Sequence, residues 1–230
     1  MNDLGQALKE AMRMILSADA DMVTIVSASL RFAFCSTLIA SIIGIPAGVA
    51  LAISSFRFKR LVVDILNTLL AVPTVVVGLF VYALIFSQGP FGGLHLLFSP
   101  AAIIIGQTIL ILPLITALAC SSVSGVNPVV RETAITLGAG RFRTIMTVAL
   151  EARAALLVVC FTGFGRVIGE VGISLILGGN ILGYTRTITT AISLQTSKGE
   201  FALGLALGIV LLIAAFGINI AARLLRTKSA

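Results

Sequence analysis

The sequence predicts an all-α membrane protein with about five transmembrane helices, a span needing about 20 mostly apolar residues. Three observations carry this. Of 230 residues, 58% are hydrophobic and only 11% are charged, and the mean hydropathy is +1.13. A soluble domain has about 25% charged and about 45–50% apolar residues, so this chain cannot cover a water-facing surface, which argues against a soluble enzyme, a nucleic-acid module and a disordered chain. The apolar residues gather in long runs near Phe32–Ser54, Leu61–Phe86, Pro100–Ser121, Ala154–Leu177 and Phe201–Ala222. The basic residues, which bring the net charge to +7, fall mostly between those runs.

Before the first run lies Leu4–Leu16. Leu4, Leu8, Met12 and Ile15 follow helical spacing, with Lys9, Glu10 and Arg13 between them. The piece is too short to cross and is expected to lie along the interface. It has none of the order of a signal peptide.

Orientation follows from the loops. Arg57, Lys59, Arg60, Arg131, Arg141, Arg143, Arg153, Arg223, Arg226 and Lys228 fall on one side; Lys9, Arg13, Arg31, Arg186 and Lys198 fall on the other. Lys and Arg collect in cytoplasmic loops. Ten against five therefore places the C-terminus in the cytoplasm and the N-terminus outside.

Inside the runs, Gly44/Gly48, Gly165/Gly169 and Gly204/Gly208 are GxxxG pairs that let helix backbones approach. Pro46, Pro73 and Pro113 each fall within a run, where a missing amide donor kinks a helix. Cys35, Cys120 and Cys160 are scattered through apolar sequence and read as small buried residues rather than a disulfide or zinc set. His95 alone cannot build a histidine-rich metal or haem site and reads as a wetted loop residue.

The most informative stretch is Val126–Leu150. Asn127-Pro128 is a helix start, with Asn capping and Pro tolerated at the first position. Val130, Ala134 and Leu137 share one face, and Gly138 and Gly140 stop the helix. Arg141-Phe142-Arg143 opens a second amphipathic piece. A short helix with a glycine corner suits either an ordinary interhelical loop or a knob for a partner's groove.

Glu132-Thr133-Ala134, with Gly138 six positions after the glutamate, resembles the EAA loop of ABC importer permeases. That pattern runs Glu-Ala-Ala, three residues, Gly, nine residues, Ile, any residue, Leu, Pro. Val148 stands at the Ile position and Leu150 at the Leu position, while Thr133 replaces the first Ala and Glu151 the final Pro. Ser41–Ala52, Ala71–Leu79 and Arg166–Asn180 resemble the oxyanion branch that handles molybdate, tungstate and sulfate. Gly178–Thr187, followed by Thr189-Thr190 and Lys198-Gly199-Glu200, is most similar to tungstate permeases.

The resemblance implies a type I ABC importer transmembrane domain over residues 23–223, after an interfacial segment 1–22 and before a cytoplasmic tail 224–230. It implies a homodimer in the plasma membrane of a prokaryote (the inner membrane if Gram-negative). Two cytoplasmic ATPase subunits carrying ATP-Mg would dock on the EAA loop, with Glu132, Thr133, Ala134 and Gly138 as docking residues. A separate extracytoplasmic binding protein would deliver an oxyanion, tungstate first, molybdate or sulfate as the alternatives. The chain itself is expected to bind no cofactor and to be no enzyme. A P-loop needs Gly-Lys followed by Ser or Thr; Lys9, Lys59, Lys198 and Lys228 follow Leu8, Phe58, Ser197 and Thr227. A secondary transporter would show an internal repeat, and none is convincing. A membrane-embedded enzyme would need a nucleophile–base set or metal ligands, for which one histidine and scattered carboxylates give little support.

Candidate residues for the anion path or gate are Arg166 and Glu170, four apart on one face, and Asn180, Thr185, Arg186 and Thr187, which gather hydrogen-bond donors after the fourth run. Intramembrane ionisable groups usually face a cavity or a partner, so Arg166 and Glu170 read either as an anion contact or as a lock on the bundle. The polar segment reads either as an outer gate or as a capped loop. Asp64, Asn67 and Gln107 fit snorkelling or helix–helix hydrogen bonds.

Overall fold

The computed structural model describes residues 3–17 and 19–227. Their α-helices run, in order, α1 Asp3–Ser17, α2 Ala20–Ile53, α3 Lys59–Leu70, α4 Thr74–Ile85, α5 Pro100–Ser124, α6 Pro128–Thr136, α7 Arg141–Glu151, α8 Arg153–Ile168, α9 Gly172–Gly178, α10 Ile188–Lys198 and α11 Phe201–Thr227, with a 3-10 turn at Gly92–Leu94. Lys228 lies outside the described residues, as do the side chains of Leu4, Glu10 and Arg226. Among the described residues, three helices are long and apolar enough to cross a membrane: α2, α5 and α11. Counting the bent pairs α3–α4 and α7–α8 as one span each gives up to five.

Several boundaries differ from the sequence reading. The first span starts at Ala20 rather than Phe32, because Asp19 caps it: its carboxylate Oδ1 accepts the amides of Asp21 and Met22 at 3.1 and 3.2 Å. The second run is two helices. Pro73 does not kink a continuous helix; it stands at the N-cap of α4 with ψ 131°, since a proline disfavours helix in the residue before it. Pro46 and Pro113 do lie inside helices. The fourth run breaks at 169–171, and its end folds separately as α9.

The chain divides into two compact units. The first gathers the described parts of 1–36, 73–107 and 164–218. One buried cluster joins α1, α2, α10 and α11 through Ala11, Met22, Ile25, Ile188, Ala191, Ala206 and Leu207, with Met14 and Ile15 packed alongside. The expected N-terminal helix therefore has three sectors. Ala11, Met14 and Ile15 face protein; Leu8, Met12 and Leu16 form an exposed apolar stripe; Lys9, Arg13 and Ser17 are exposed and polar. In the same unit α4 packs on α9, and the amide of Ile188 donates to Ser29 Oγ at 2.7 Å, tying α10 to α2.

The second unit gathers 37–72, 108–163 and the described residues from 219 on. Here one GxxxG pair does what its spacing suggests: a Cβ on Gly48 would stand 2.5 Å from the Thr116 carbonyl oxygen and 2.7 Å from Ala119 Cβ, so only glycine permits this approach of α2 to α5. The other two pairs do not pack this way. A Cβ on Gly169 or Gly208 would meet nothing within 4 Å. A second cluster, Val49, Val123, Val148 and Ala152, holds α7 against α2 and α5. No residue of α3 is buried.

Candidate functional site

The corner after α5 is built by capping. Asn127 Oδ1 accepts the amide of Val129 at 3.0 Å, and Pro128 occupies the first turn. At the other end Gly138 has φ +80°. The amide of Gly138 donates to Ile135 O and that of Ala139 to Ala134 O, at 3.0 and 2.9 Å. This is a Schellman closure. A Cβ on Gly138 would meet nothing within 4 Å, so the backbone conformation alone calls for glycine here.

The corner is anchored from below and bare on its outer side. Ala134 of α6 and Thr144 of α7 are buried where the two helices pack, and the Thr144 hydroxyl donates to Ala139 O and Gly140 O. Glu132 and Thr133 are exposed. Apolar side chains stand out from the corner: Val129, Phe142 and, at 82% exposure, Leu137; Ile135 is exposed on a separate flank beside Arg131. Leu137 thus leaves the face expected for it, because it is the C-cap where the helix has already turned. Val148 is buried and Leu150 exposed. The bend into α8 is 66° although Glu151 stands where the family pattern has proline.

The membrane charges form a second constellation, at the break after α8. Arg166 Nη1 donates to Glu170 Oε2 at 3.1 Å; the Arg166 side chain is 44% exposed and that of Glu170 only 3%. The other carboxylate oxygen, Oε1, accepts the amide of Ile173 at 3.3 Å, which starts α9. The backbone oxygen of Glu170 accepts the hydroxyl of Thr189 at 2.7 Å. One buried residue therefore ties α8, α9 and α10. Arg166 is held by one edge, with the open glycines Gly165 and Gly169 beside it.

The donors at 180–190 are largely engaged with each other. Arg186 Nε donates to Asn180 Oδ1 at 3.1 Å, and Nη2 to Asn180 O at 3.3 Å. Asn180 itself adopts φ 54° and donates to Thr190 O. Thr185, fully buried, donates to Gly178 O and accepts from Ile181 N. Thr187 and Thr190 form a capping box that starts α10. Thr189 brings this corner to Glu170, so the two groups of candidates meet. Sequence reasoning had no signal for Ser29 or for Ser36, which donates to the buried Gln107 at 3.0 Å. Each is a small hydroxyl residue with no motif around it. Asp64 and Asn67 are exposed on α3, and His95 is an exposed loop residue with φ 49°.

Comparison with known proteins gives this geometry a setting. Residues 44–229 match the family model described as binding-protein-dependent transport system inner membrane component. The chain is 38% identical over 219 residues to the tungstate uptake system permease protein TupB of Peptoclostridium acidaminophilum, covering 95% of this chain and 96% of the relative. It is 41% identical over 211 residues to the protein of the same name from Campylobacter jejuni, covering 92% and 88%. The molybdenum transport system permease protein ModB of Azotobacter vinelandii is 28% identical, covering 76% and 80%. In fold, the chain matches a bacterial alginate ABC transporter solved with its pentasaccharide-bound periplasmic protein, at TM-score 0.74 and 16% identity over 96% of this chain and 86% of that one. An inward-facing methionine ABC transporter matches at TM-score 0.72 and 18% identity, over 90% and 95%. With the helical architecture of type I ABC importer transmembrane domains and a family match over most of its length, the chain belongs to the binding-protein-dependent transport system inner membrane components.

Proposed function

We propose that this permease is the homodimeric membrane subunit of an ATP-driven tungstate importer. Two cytoplasmic ATPase subunits, carrying ATP-Mg, grip the α6 corner around Glu132 and Gly138. An extracytoplasmic binding protein delivers the anion. The C-terminus lies in the cytoplasm of a prokaryote, with residues 1–22 at the outer interface, 23–223 as the permease domain and 224–230 as the tail. The observation that carries the mechanism is the corner itself: a helix capped at both ends, seated through Ala134 and Thr144, with an exposed apolar outer side. A rigid knob of this kind transmits a push; a flexible loop would absorb it. The tungstate assignment is supported by relatives of that name aligned over nearly the full length of both chains.

In the path, Arg166 offers its exposed guanidinium edge to a passing dianion, while Glu170 fixes the other edge. The Asn180–Thr187 corner then acts as scaffold and outer rim, because its donors are held by neighbours. Contacts on such a path need to be weak enough to escape, and a single half-shared arginine meets that need.

The test is uptake by vesicles holding the permease, with ATPase and binding protein supplied and each anion offered as competitor. Tungstate accumulation should require ATP and both companions, and unlabelled tungstate should compete better than molybdate or sulfate. Accumulation by the permease alone would overturn the reading. A preference for molybdate would replace the anion and leave the mechanism.

A further inference from the structure

We propose that the second unit carries a site for the phosphate headgroup of an anionic phospholipid, set on the flank of α6 beside its docking side. A surface cavity of about 510 Å³ lies there, its walls including Ser54, Ser55, Phe56, Arg131, Ile135 and Arg141. Two arginines from separate helices, Arg131 of α6 and Arg141 of α7, line it and no carboxylate does. Among the described residues, neither guanidinium is ion-paired. Arginine forks match phosphate oxygens in pairs, so the polar half of this cavity is suited to a phosphate ester.

The other half chooses the source. Phe56, Ile135 and their aliphatic neighbours form apolar wall, from which a free dianion gains nothing and a glycerol backbone with its first acyl carbons gains burial. The position also fits. The cavity opens where α2 ends, with Phe56 on its wall and exposed, at the end of a membrane-length helix where headgroups are expected. The loop that forms its floor is pinned: Lys59 Nζ donates to Ala52 O at 2.7 Å, and Ser54 Oγ to Ala50 O at 2.6 Å. Following it, α3 has no buried residue and carries Lys59 and Arg60 at its start, as expected of a helix lying among headgroups. Arg131 and Ile135 are four apart and share one flank of α6, which leaves the next flank, Glu132 and Thr136, for docking.

Native mass spectrometry of the full chain in detergent tests this, with phosphatidylglycerol, phosphatidylcholine and inorganic phosphate as the probes. Phosphatidylglycerol should be retained more tightly than phosphatidylcholine. The double variant Arg131→Gln/Arg141→Gln should retain it about 25-fold less tightly, roughly fivefold per basic residue at a membrane surface. Arg143→Gln, which removes a neighbouring charge that does not line the cavity, should weaken retention clearly less than removal of either cavity arginine does, because it loses surface attraction but no fork contact. The Arg131→Lys/Arg141→Lys variant keeps the charge and guards against a folding defect; it should recover part of the binding. Equal retention of both lipids would overturn the proposal, as would equal losses from Arg143→Gln. Displacement of phosphatidylglycerol by inorganic phosphate at comparable concentration would assign the cavity to a free anion and overturn the lipid. If the double variant lost its ATPase companion while phosphatidylglycerol retention stayed unchanged, the cavity would be a protein contact, and the proposal would again fall.

Discussion

Gly138 and Glu170 each hold a break in the helical path, by opposite means. Gly138 works through what it lacks. Its φ of +80° is open to glycine and tolerable to asparagine, and costs an ordinary residue about 1–2 kcal/mol. No neighbour limits its size. Gly138→Val should therefore lose most ATP-driven uptake while inserting normally, whereas Gly138→Asn, bulkier than alanine yet suited to that conformation, should keep most of it. Uptake assays on both variants check this, and equal activity would remove the corner from the coupling route. Glu170 works through what it holds: a guanidinium, an amide and, through its own carbonyl, a hydroxyl. Removing one partner of a buried polar set costs about 1–3 kcal/mol. Arg166→Gln should thus lower the melting temperature in detergent, and adding Glu170→Gln should recover much of that loss by removing the stranded charge. Uptake should not return in the double variant if Arg166 touches the anion. Its return would make the pair a lock alone.

Between helices, the decisive contact is at Gly48. A methyl there would press on the backbone of α5, and overpacking of this kind costs about 1–3 kcal/mol. Gly48→Ala should lower the melting temperature clearly and Gly208→Ala should not, although both sit in the same sequence pattern. That contrast also shows how far elements were legible. Length and apolar composition marked the spans, because nothing else in a protein needs so long a greasy run. Asn127-Pro128 and Gly138 marked α6, because capping is local chemistry. The start of α2 at Asp19 was missed because the residues from Ala20 onward mix polar with apolar and only the cap shows where the helix begins. The break at 169–171 was hidden because it depends on a carboxylate turning back to an amide three residues on, a tertiary detail that no periodicity records.

At the scale of the molecule, composition and loop charge indicated a polytopic protein, and the family match supports the membrane setting. Orientation can be read directly. A cysteine placed at Thr136 on a cysteine-free background should react with a membrane-impermeant maleimide only from the cytoplasmic side, and one at Ser197 only from the outer side. The reverse pattern would turn the permease over and remove the α6 corner from the reach of any ATPase. The anion-path residues were the least legible. Their residue types were visible in the sequence, but whether a donor is spare or spent is settled by neighbours: Arg186 is engaged by Asn180, whereas Arg166 keeps an open edge. Serines such as Ser29 matter as much and carried no mark at all.

The closure at Gly138 has a consequence for how such a device ages. The turn is closed by its own amides and by the Thr144 hydroxyl at the start of the next helix, so its shape is set locally and asks nothing of the long spans. On the function proposed above, the corner would travel as one piece, bent to the same degree throughout a stroke. On that reading substitutions can accumulate around the corner so long as residue 138 accepts a left-handed backbone, as glycine does freely and asparagine tolerably.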